Sequence, residues 1–287
     1  MKRIVVATDL SARSDRAVRR AGLLAGAYSA ELELVHVVED SQPEHLVSAM
    51  EGLARAELER IVASTPELVG TDSQANVVRG DAFDRLASLS HRKFDLLVMG
   101  SHRKSLLKDV VIGTTLERVL RVQIAPILVV NQNPAAQYSN ILIAVDFSDC
   151  SRQALETPGR LGLLNGKQTT ILYVSDPSEA VRADASSDDI HIKIAADALE
   201  SSRELTKFLG TVDLTGIQFS TRVRPHDGPP GTGIKEVAAE LGADLVVVGT
   251  RGRNRLVRMM LGSVTDDLLK TLDTDLLVVP WGADYRD

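Results

Sequence analysis

The sequence predicts an α/β protein of two tandem doubly wound domains, each a five-stranded parallel sheet with helices on both faces. Three observations predict it. The 287-residue chain repeats itself about halfway along. Within each repeat, short β-branched runs alternate with amphipathic helical stretches, the rhythm of right-handed crossovers onto a parallel sheet. Hydrophobic residues make up 44% of the chain but aromatics only 3%, so the core is aliphatic, as suits strands covered by helices on both sides.

The repeat is direct. Arg3-Ile4-Val5-Val6-Ala7-Thr8-Asp9-Leu10-Ser11 returns 137 positions later as Asn140-Ile141-Leu142-Ile143-Ala144-Val145-Asp146-Phe147-Ser148. Phe94-Asp95-Leu96-Leu97-Val98-Met99-Gly100 returns 149 positions later as Ala243-Asp244-Leu245-Val246-Val247-Val248-Gly249, and Gly113-Thr114 returns as Gly262-Ser263 at the same spacing. The second copy thus carries 12 extra residues, gained in the polar stretches 184–189 and 225–230. Insertions collect in surface loops, so both stretches are expected to be exposed. The expected domains are 1–133 and 138–282, with a linker of Asn, Gln, Pro and Ala across 131–139.

Strands are expected near 3–8, 32–38, 75–79, 95–99 and 127–130, and again near 140–145, 169–174, 217–223, 244–248 and 276–279. After the first strand, residues 14–27 place Ala17, Val18, Ala21, Leu24 and Ala25 on one helical face. Ser11 and Ser14 are its candidate N-caps, and Ser148 and Ser151 repeat that arrangement. Longer amphipathic helices are expected over 47–63 and 194–209, and shorter ones over 234–241 and 264–272. Sheets of this kind bind ligands at the carboxyl ends of their strands, where the strand order reverses.

The net charge is −6, which argues against non-specific binding to nucleic acid. No apolar run approaches the ~20 residues needed to span a membrane. The opening segment meets Asp9 too soon to read as a signal peptide. Cys150 is the single cysteine, so no intrachain disulfide forms, and the cytoplasm is the expected compartment.

The chemistry concentrates after the fourth strand of the second copy. Gly249-Thr250-Arg251-Gly252 follows the strand, nine residues intervene, and Gly262-Ser263 opens a helix. Glycines let the backbone turn and approach a ligand without a Cβ in the way. A helix start offers free N–H groups and the positive end of the helix dipole to a phosphate. The Ser263 hydroxyl adds a donor, and Arg251, Arg253, Arg255 and Arg258 crowd the connection.

This constellation resembles the universal stress protein family, whose ATP-binding members carry Gly-x2-Gly-x9-Gly-(Ser/Thr) after the fourth strand. Residues 249–263 match at every defined position, and the resemblance covers nearly the whole chain, once per copy. The family also keeps a first-strand aspartate and a second-strand valine that meet ribose and adenine, and Asp146 and Val174 stand there. The resemblance implies an adenine-nucleotide-alpha-hydrolase-like fold. It also implies an ATP site, with or without Mg2+, at Ala144, Asp146, Val174, Val248, Gly249, Arg251, Gly252, Gly262, Ser263, Val264 and Thr265. Asp146 could bond a ribose hydroxyl pair or could serve only as a turn aspartate; Val174 would act through its backbone. In the family, closing strands pair across a dimer interface, so the resemblance implies an intrachain pseudo-dimer, with a homodimer of whole chains as a further option.

The first copy departs from the pattern. Asp9, Val37, Gly100, Gly113 and Thr114 are retained, but Arg103 replaces the middle glycine. If that position needs positive φ, the replacement costs roughly 1–2 kcal/mol. The side chain would either fill the phosphate space or bind a smaller anion, so this site is expected to be weakened or altered.

Other signals are weaker. Gly228-Pro229-Pro230-Gly231-Thr232-Gly233 lacks the Lys-Ser/Thr that a Walker A loop requires. His191 with Asp184, Asp188 and Asp189 has no standard zinc spacing. His36 reads as a packed strand residue and Cys150 as an inert thiol. No nucleophile–base–orienter set is present. The expected function is an ATP-binding regulator of stress response, against two alternatives: a slow ATPase or nucleotidyl-transfer enzyme, and a ligand-independent pairing module.

Overall fold

The computed structural model describes residues 1–89, 93–101, 114–122, 124–176, 189–250 and 261–282. They form two units, Met1–Gln137 with Asp275–Asp287, and Tyr138–Thr274. In the first unit the elements run β1 (Arg3–Ala7), α1 (Ala12–Tyr28), β2 (Glu31–Val38), α2 (Glu44–Ser64), a 3-10 turn (Pro66–Leu68) and β3 (Ser73–Arg79). Then come α3 (Ala82–Ser88), β4 (Leu96–Gly100), α4 (Thr115–Val122) and β5 (Ile127–Val130). The second unit holds β6 (Asn140–Val145), α5 (Asp149–Arg160), β7 (Gln168–Ser175), α6 (Asp189–Leu209), β8 (Phe219–Pro225), α7 (Pro230–Leu241), β9 (Leu245–Gly249) and α8 (Ser263–Thr271). The closing strand of the second repeat, β10 (Asp275–Val279), clusters with the first unit.

The first unit orders its strands β3-β2-β1-β4-β5-β10. The first five are mutually parallel, and β10 runs antiparallel to β5, with Leu277 opposite Leu128. The second unit orders its strands β9-β6-β7-β8, all parallel. In each unit the chain leaves its first strand toward one side and later returns on the other. The order therefore reverses between β1 and β4, and between β6 and β9, where this fold places its ligand crevice.

Local chemistry explains the elements. Every residue of β5 and β10 is buried, as β-branched and leucine-rich runs covered on both faces must be. α1 packs on β1 and β4, and α2 on β2 and β3. The repeated Phe/Ala-Asp motif before the fourth strand aligns the sheet at its amino end. Asp95 accepts the backbone N–H groups of Lys2 and Arg3, and Asp244 those of Ser139 and Asn140. Each carboxylate thus satisfies backbone donors at the start of the neighbouring strand.

The sequence places one helix over 234–241, but α7 begins at Pro230. A proline is tolerated at the first helical position because its missing N–H has no partner there anyway. The neighbouring glycines are packing residues: a Cβ on Gly231 would overlap Asp267 Oδ2, and one on Gly233 would sit 3.1 Å from Val174 Cγ1. The segment that resembles a Walker A loop is a helix start pressed against α8 and β7. Residues 227–230 are exposed, while 184–188 lie outside the described residues. No described helix is long and apolar enough to cross a membrane.

Candidate functional site

Both crevices begin with the same turn. After β1 and after β6 an aspartate is followed by a residue in the left-handed region, Leu10 (φ 62°) and Phe147 (φ 65°). The aspartate holds the turn: Asp9 Oδ1 accepts the Ser11 N–H at 3.0 Å, and Asp146 Oδ1 accepts the Ser148 N–H at 3.1 Å. The next serine caps the helix, Ser11 for α1 and Ser148 for α5, each accepting the N–H three residues on. Ser14 and Ser151 are not caps. Both are buried and turn back toward the strand end. Ser14 Oγ meets Thr8 Oγ1 at 2.8 Å. The matching residue in the second copy is Val145, which offers no hydroxyl, so Ser151 Oγ donates to Asp146 Oδ1 instead. Asp146 Oδ1 also accepts from the Ser148 hydroxyl at 2.6 Å. The aspartate marked by the sequence is thus a turn aspartate as well as a crevice residue.

In the second unit, Val174 and Ala144 are half-buried at the strand ends, whereas Val248 is fully buried. Gly249 ends β9 where α5 crosses closely, since a Cβ there would lie 2.9 Å from Cys150 Cβ. The need for glycine at 249 is therefore met by helix packing. Cys150 is buried at that contact, beside Thr250. The end of β9 and the start of α8 are tied directly: the Gly262 N–H donates to the Thr250 carbonyl and the Thr265 hydroxyl to the Gly249 carbonyl, both at 2.8 Å. These bonds bring the start of α8 to the end of β9. Gly262 caps α8 without a side-chain hydrogen bond, Ser263 is exposed at the first helical position, and Val264 is half-buried beside it. Arg251 and Gly252, with Arg253, Arg255 and Arg258, lie outside the described residues.

In the first unit a cleft of about 190 Å³ opens at the matching crevice. Asp9, His36, Val37, Gly100, Ser101 and Leu116 are among its walls. His36, expected as a packed core residue, is half-buried there, and its Nδ1 lies 2.9 Å from the Thr8 carbonyl. The strand end leaves its ring at the mouth of the crevice. Gly100 again abuts a helix: a Cβ there would lie 3.3 Å from the Arg13 carbonyl oxygen. Thr114 begins α4 in a reciprocal pair with Glu117: Glu117 Oε2 accepts the Thr114 N–H and Thr114 Oγ1 accepts the Glu117 N–H, each at 3.3 Å. The sequence reading passed over Glu117, although Thr-x-x-Glu is a legible capping box. Arg103 and Gly113 lie outside the described residues.

Among the described residues no group of three or more His, Cys, Asp and Glu side chains could hold a metal ion. Of the carboxylates just inside α8, Asp266 accepts from Lys270, and Asp267 lies against the backbone of Gly231. The His191 cluster falls outside the described side chains.

Comparison with known proteins agrees with the repeat. The family model described as "Universal stress protein family" matches residues 1–131 and again 137–280. The Staphylococcus haemolyticus relative SH1215 is 31% identical over 143 residues, spanning 50% of this chain and 84% of its own. The universal stress protein MJ0577 of Methanocaldococcus jannaschii is 24% identical over 161 residues, spanning 50% of this chain and 96% of its own. Each thus matches the length of one repeat. The crystal structure of a universal stress protein from Archaeoglobus fulgidus shares the fold across 98% of both chains, at a TM-score of 0.73 and 20% identity. With two matches that together fill almost its whole length, the chain belongs to the universal stress protein family, as a tandem of two such domains.

Proposed function

We propose that this chain is a nucleotide-dependent regulator of stress response, working in the cytoplasm, whose second unit holds ATP. One observation carries the reading. In the second unit, Asp146, the end of β9 and the start of α8 meet at the point where the strand order reverses. The donor set suits a phosphate there: α8 has no side-chain cap, and Ser263 stands exposed at its first position. First-turn N–H groups of a helix have no intrahelical partner, and the dipole favours an anion at that end. Gly249, Gly262, Ser263, Val264 and Thr265 would surround the phosphates, with Arg251 and Gly252 in the connecting loop. Asp146, Ala144, Val174 and Val248 would border the nucleoside. Any Mg2+ would enter with the nucleotide, bound to its phosphate oxygens. Bound ATP would act by shifting an equilibrium between two states, to the extent that it binds them unequally. The antiparallel β5–β10 ladder is our candidate for the element through which the repeats pair.

The test is to denature the purified full chain and identify released small molecules by mass, then to titrate the emptied protein with ATP. Released adenine nucleotide, or micromolar binding that Gly262→Asp weakens at least ~10-fold, is the expected result. That substitution puts a carboxylate at the helix start. A protein that carries no nucleotide and binds none sinks the reading. Steady release of ADP and phosphate during the titration would move it toward a slow ATPase.

A further inference from the structure

Helix α2 is apolar on two sides. Its inner side packs Val47, Ala54 and Leu58 against the sheet. On the opposite side Leu46, Ala49, Met50, Gly52, Leu53 and Ala56 are exposed among the described residues. Leu46 is 44% exposed, Met50 45% and Leu53 73%. A helix on a sheet ordinarily turns charged residues to water there, and the second repeat does so. The two helices align on their buried residues, Ala54 with Ser201 and Leu58 with Leu205. The places of Met50, Leu53 and Ala56 are then held in α6 by Asp197, Glu200 and Arg203, with Leu199 at that of Gly52. The apolar face therefore belongs to the first repeat and is not a requirement of the fold.

The face is patterned as well as apolar. Leu46, Ala49, Leu53 and Ala56 follow the alternating spacing of three and four residues that makes a helix-pairing seam. Large and small residues alternate along it. Against an antiparallel second copy, Leu46 would meet Ala56 and Leu53 would meet Ala49, each leucine filling the space over an alanine. Both pairings centre on the level of Glu51, so one two-fold axis there satisfies them together, as contact between identical chains requires. Met50 and Gly52 flank that axis, and nothing lies within 4 Å of where a Gly52 Cβ would stand. Charge agrees with the same axis. It brings His45 about level with Glu59 of the second copy and Arg60 level with its Gln42, and it sets no carboxylate on this face against another. Glu44 and Glu51, on the flank of the helix, are held within the unit by Arg79.

We propose that the outer face of α2 docks a second copy of this chain, the two helices packing antiparallel about a two-fold axis at the level of Glu51. Such a pair of faces buries on the order of 800 Å² in total, the low end for specific association, so the dimer is a weak one that forms at micromolar concentration. The contact is separate from the ligand crevice, since α2 contributes none of the walls of the first-unit cleft.

The experiment is sedimentation velocity of the full chain over a concentration series, comparing wild type, Leu53→Glu and Met50→Lys, with circular dichroism to confirm folding. Both substitutions fall on exposed positions. The expected result is a concentration-dependent dimer in wild type that each variant weakens at least ~10-fold with its spectrum unchanged. Oxidation reads the register. Leu46→Cys mixed with Ala56→Cys should give a disulfide-linked dimer. Neither should link to itself, because two copies of residue 46, or of 56, lie about 15 Å apart along the helices of the antiparallel pair. Cys150 is buried and takes no part. A wild type that stays monomeric to millimolar concentration overturns the inference and leaves the face to a different partner. A dimer that both charged variants leave intact lies on another surface and also overturns it. Self-linked single variants without the mixed product overturn the antiparallel pairing.

Discussion

Leu10 and Phe147 occupy the same place in the two repeats, one residue past the strand-end aspartate, and both carry positive φ. An L-residue there costs roughly 1–2 kcal/mol, so something must hold the turn. The aspartate side chain does part of this by accepting the N–H two residues on. The second copy adds packing: the Phe147 ring lies 4.3 Å from that of Tyr173 and 5.5 Å from that of Phe208. The two positions should therefore respond differently to glycine. Leu10→Gly relieves the strained φ while loosening the unfolded chain, and is expected within about 1 kcal/mol of wild type. Phe147→Gly gains the same relief but loses a partly buried aromatic cluster, and is expected to cost about 2 kcal/mol. Urea denaturation of both variants checks this, and equal midpoints would show that the ring cluster contributes little. The aspartates themselves were legible in the sequence because the repeat marks them twice. Their role in the turn was legible only as one of two options, since an Asp before a helix reads alike whether it meets a ligand or its own backbone.

At the scale of elements, close approach decides where glycine is required. α1 contains Gly22 and Gly26, and by helix propensity each costs about 1 kcal/mol relative to alanine. The 3-10 turn Pro66–Leu68 crosses α1 at Gly22, where a Cβ would lie 2.7 Å from the Glu67 carbonyl oxygen and 3.2 Å from its Cβ. Arg19 holds the same turn through Glu67, with Nε to Oε1 at 2.8 Å. At Gly26 the nearest atom is Thr71 Cγ2 at 3.8 Å. Gly22→Ala is expected to destabilise the first unit by about 1–3 kcal/mol, because backbone must move to admit the methyl. Gly26→Ala is expected to stabilise it by up to about 1 kcal/mol. Thermal or urea melts of the pair separate the two, and a stabilised Gly22→Ala would refute the contact. Sequence pattern located these helices well where apolar periodicity is strong, as over 14–27. It failed at the start of α7, where Pro-Gly-Thr-Gly reads as a loop. Nothing local reveals that Asp267 and Val174 demand bare backbone there. The capping box of α4 is written in the spacing of Thr114 and Glu117.

For the whole molecule, the repeat made the two-domain architecture legible, because each copy states the same strand and helix order. The partner of the closing strand was legible only as what the family resemblance implies, not from the residues themselves. Leu276-Leu277-Val278-Val279 resembles Ile127-Leu128-Val129-Val130 in every local respect, and only tertiary structure shows β10 antiparallel to β5. The anchor of that arrangement is Asp275, fully buried just before the apolar run. One oxygen accepts the N–H groups of Asn131 and Gln132 at 2.8 and 3.0 Å, and the other accepts Arg20 Nε at 3.1 Å. Arg20 is itself buried and donates to the Ala136 carbonyl at 2.7 Å. A helix, the connection between the repeats and the last strand are thus tied at a single buried ion pair. Sequence could not single it out: Arg19 and Arg20 are adjacent arginines, one half-exposed on Glu67 and the other buried on Asp275. Such a pair need not outperform apolar residues of the same size, but removing one partner strands a buried charge and costs about 3–5 kcal/mol. Asp275→Ala should therefore destabilise the first unit by that amount and expose residues 131–137 to protease. Asp275→Asn should lose less, since its carbonyl oxygen can still accept the two backbone N–H groups. Arg20→Met combined with Asp275→Ala should recover part of the loss, because the stranded guanidinium is gone while the two N–H groups still lack their acceptor. Urea midpoints and cleavage rates for these variants decide the matter. An Asp275→Ala protein within 1 kcal/mol of wild type, with its linker still protected, would mean that β10 is held by its apolar ladder alone.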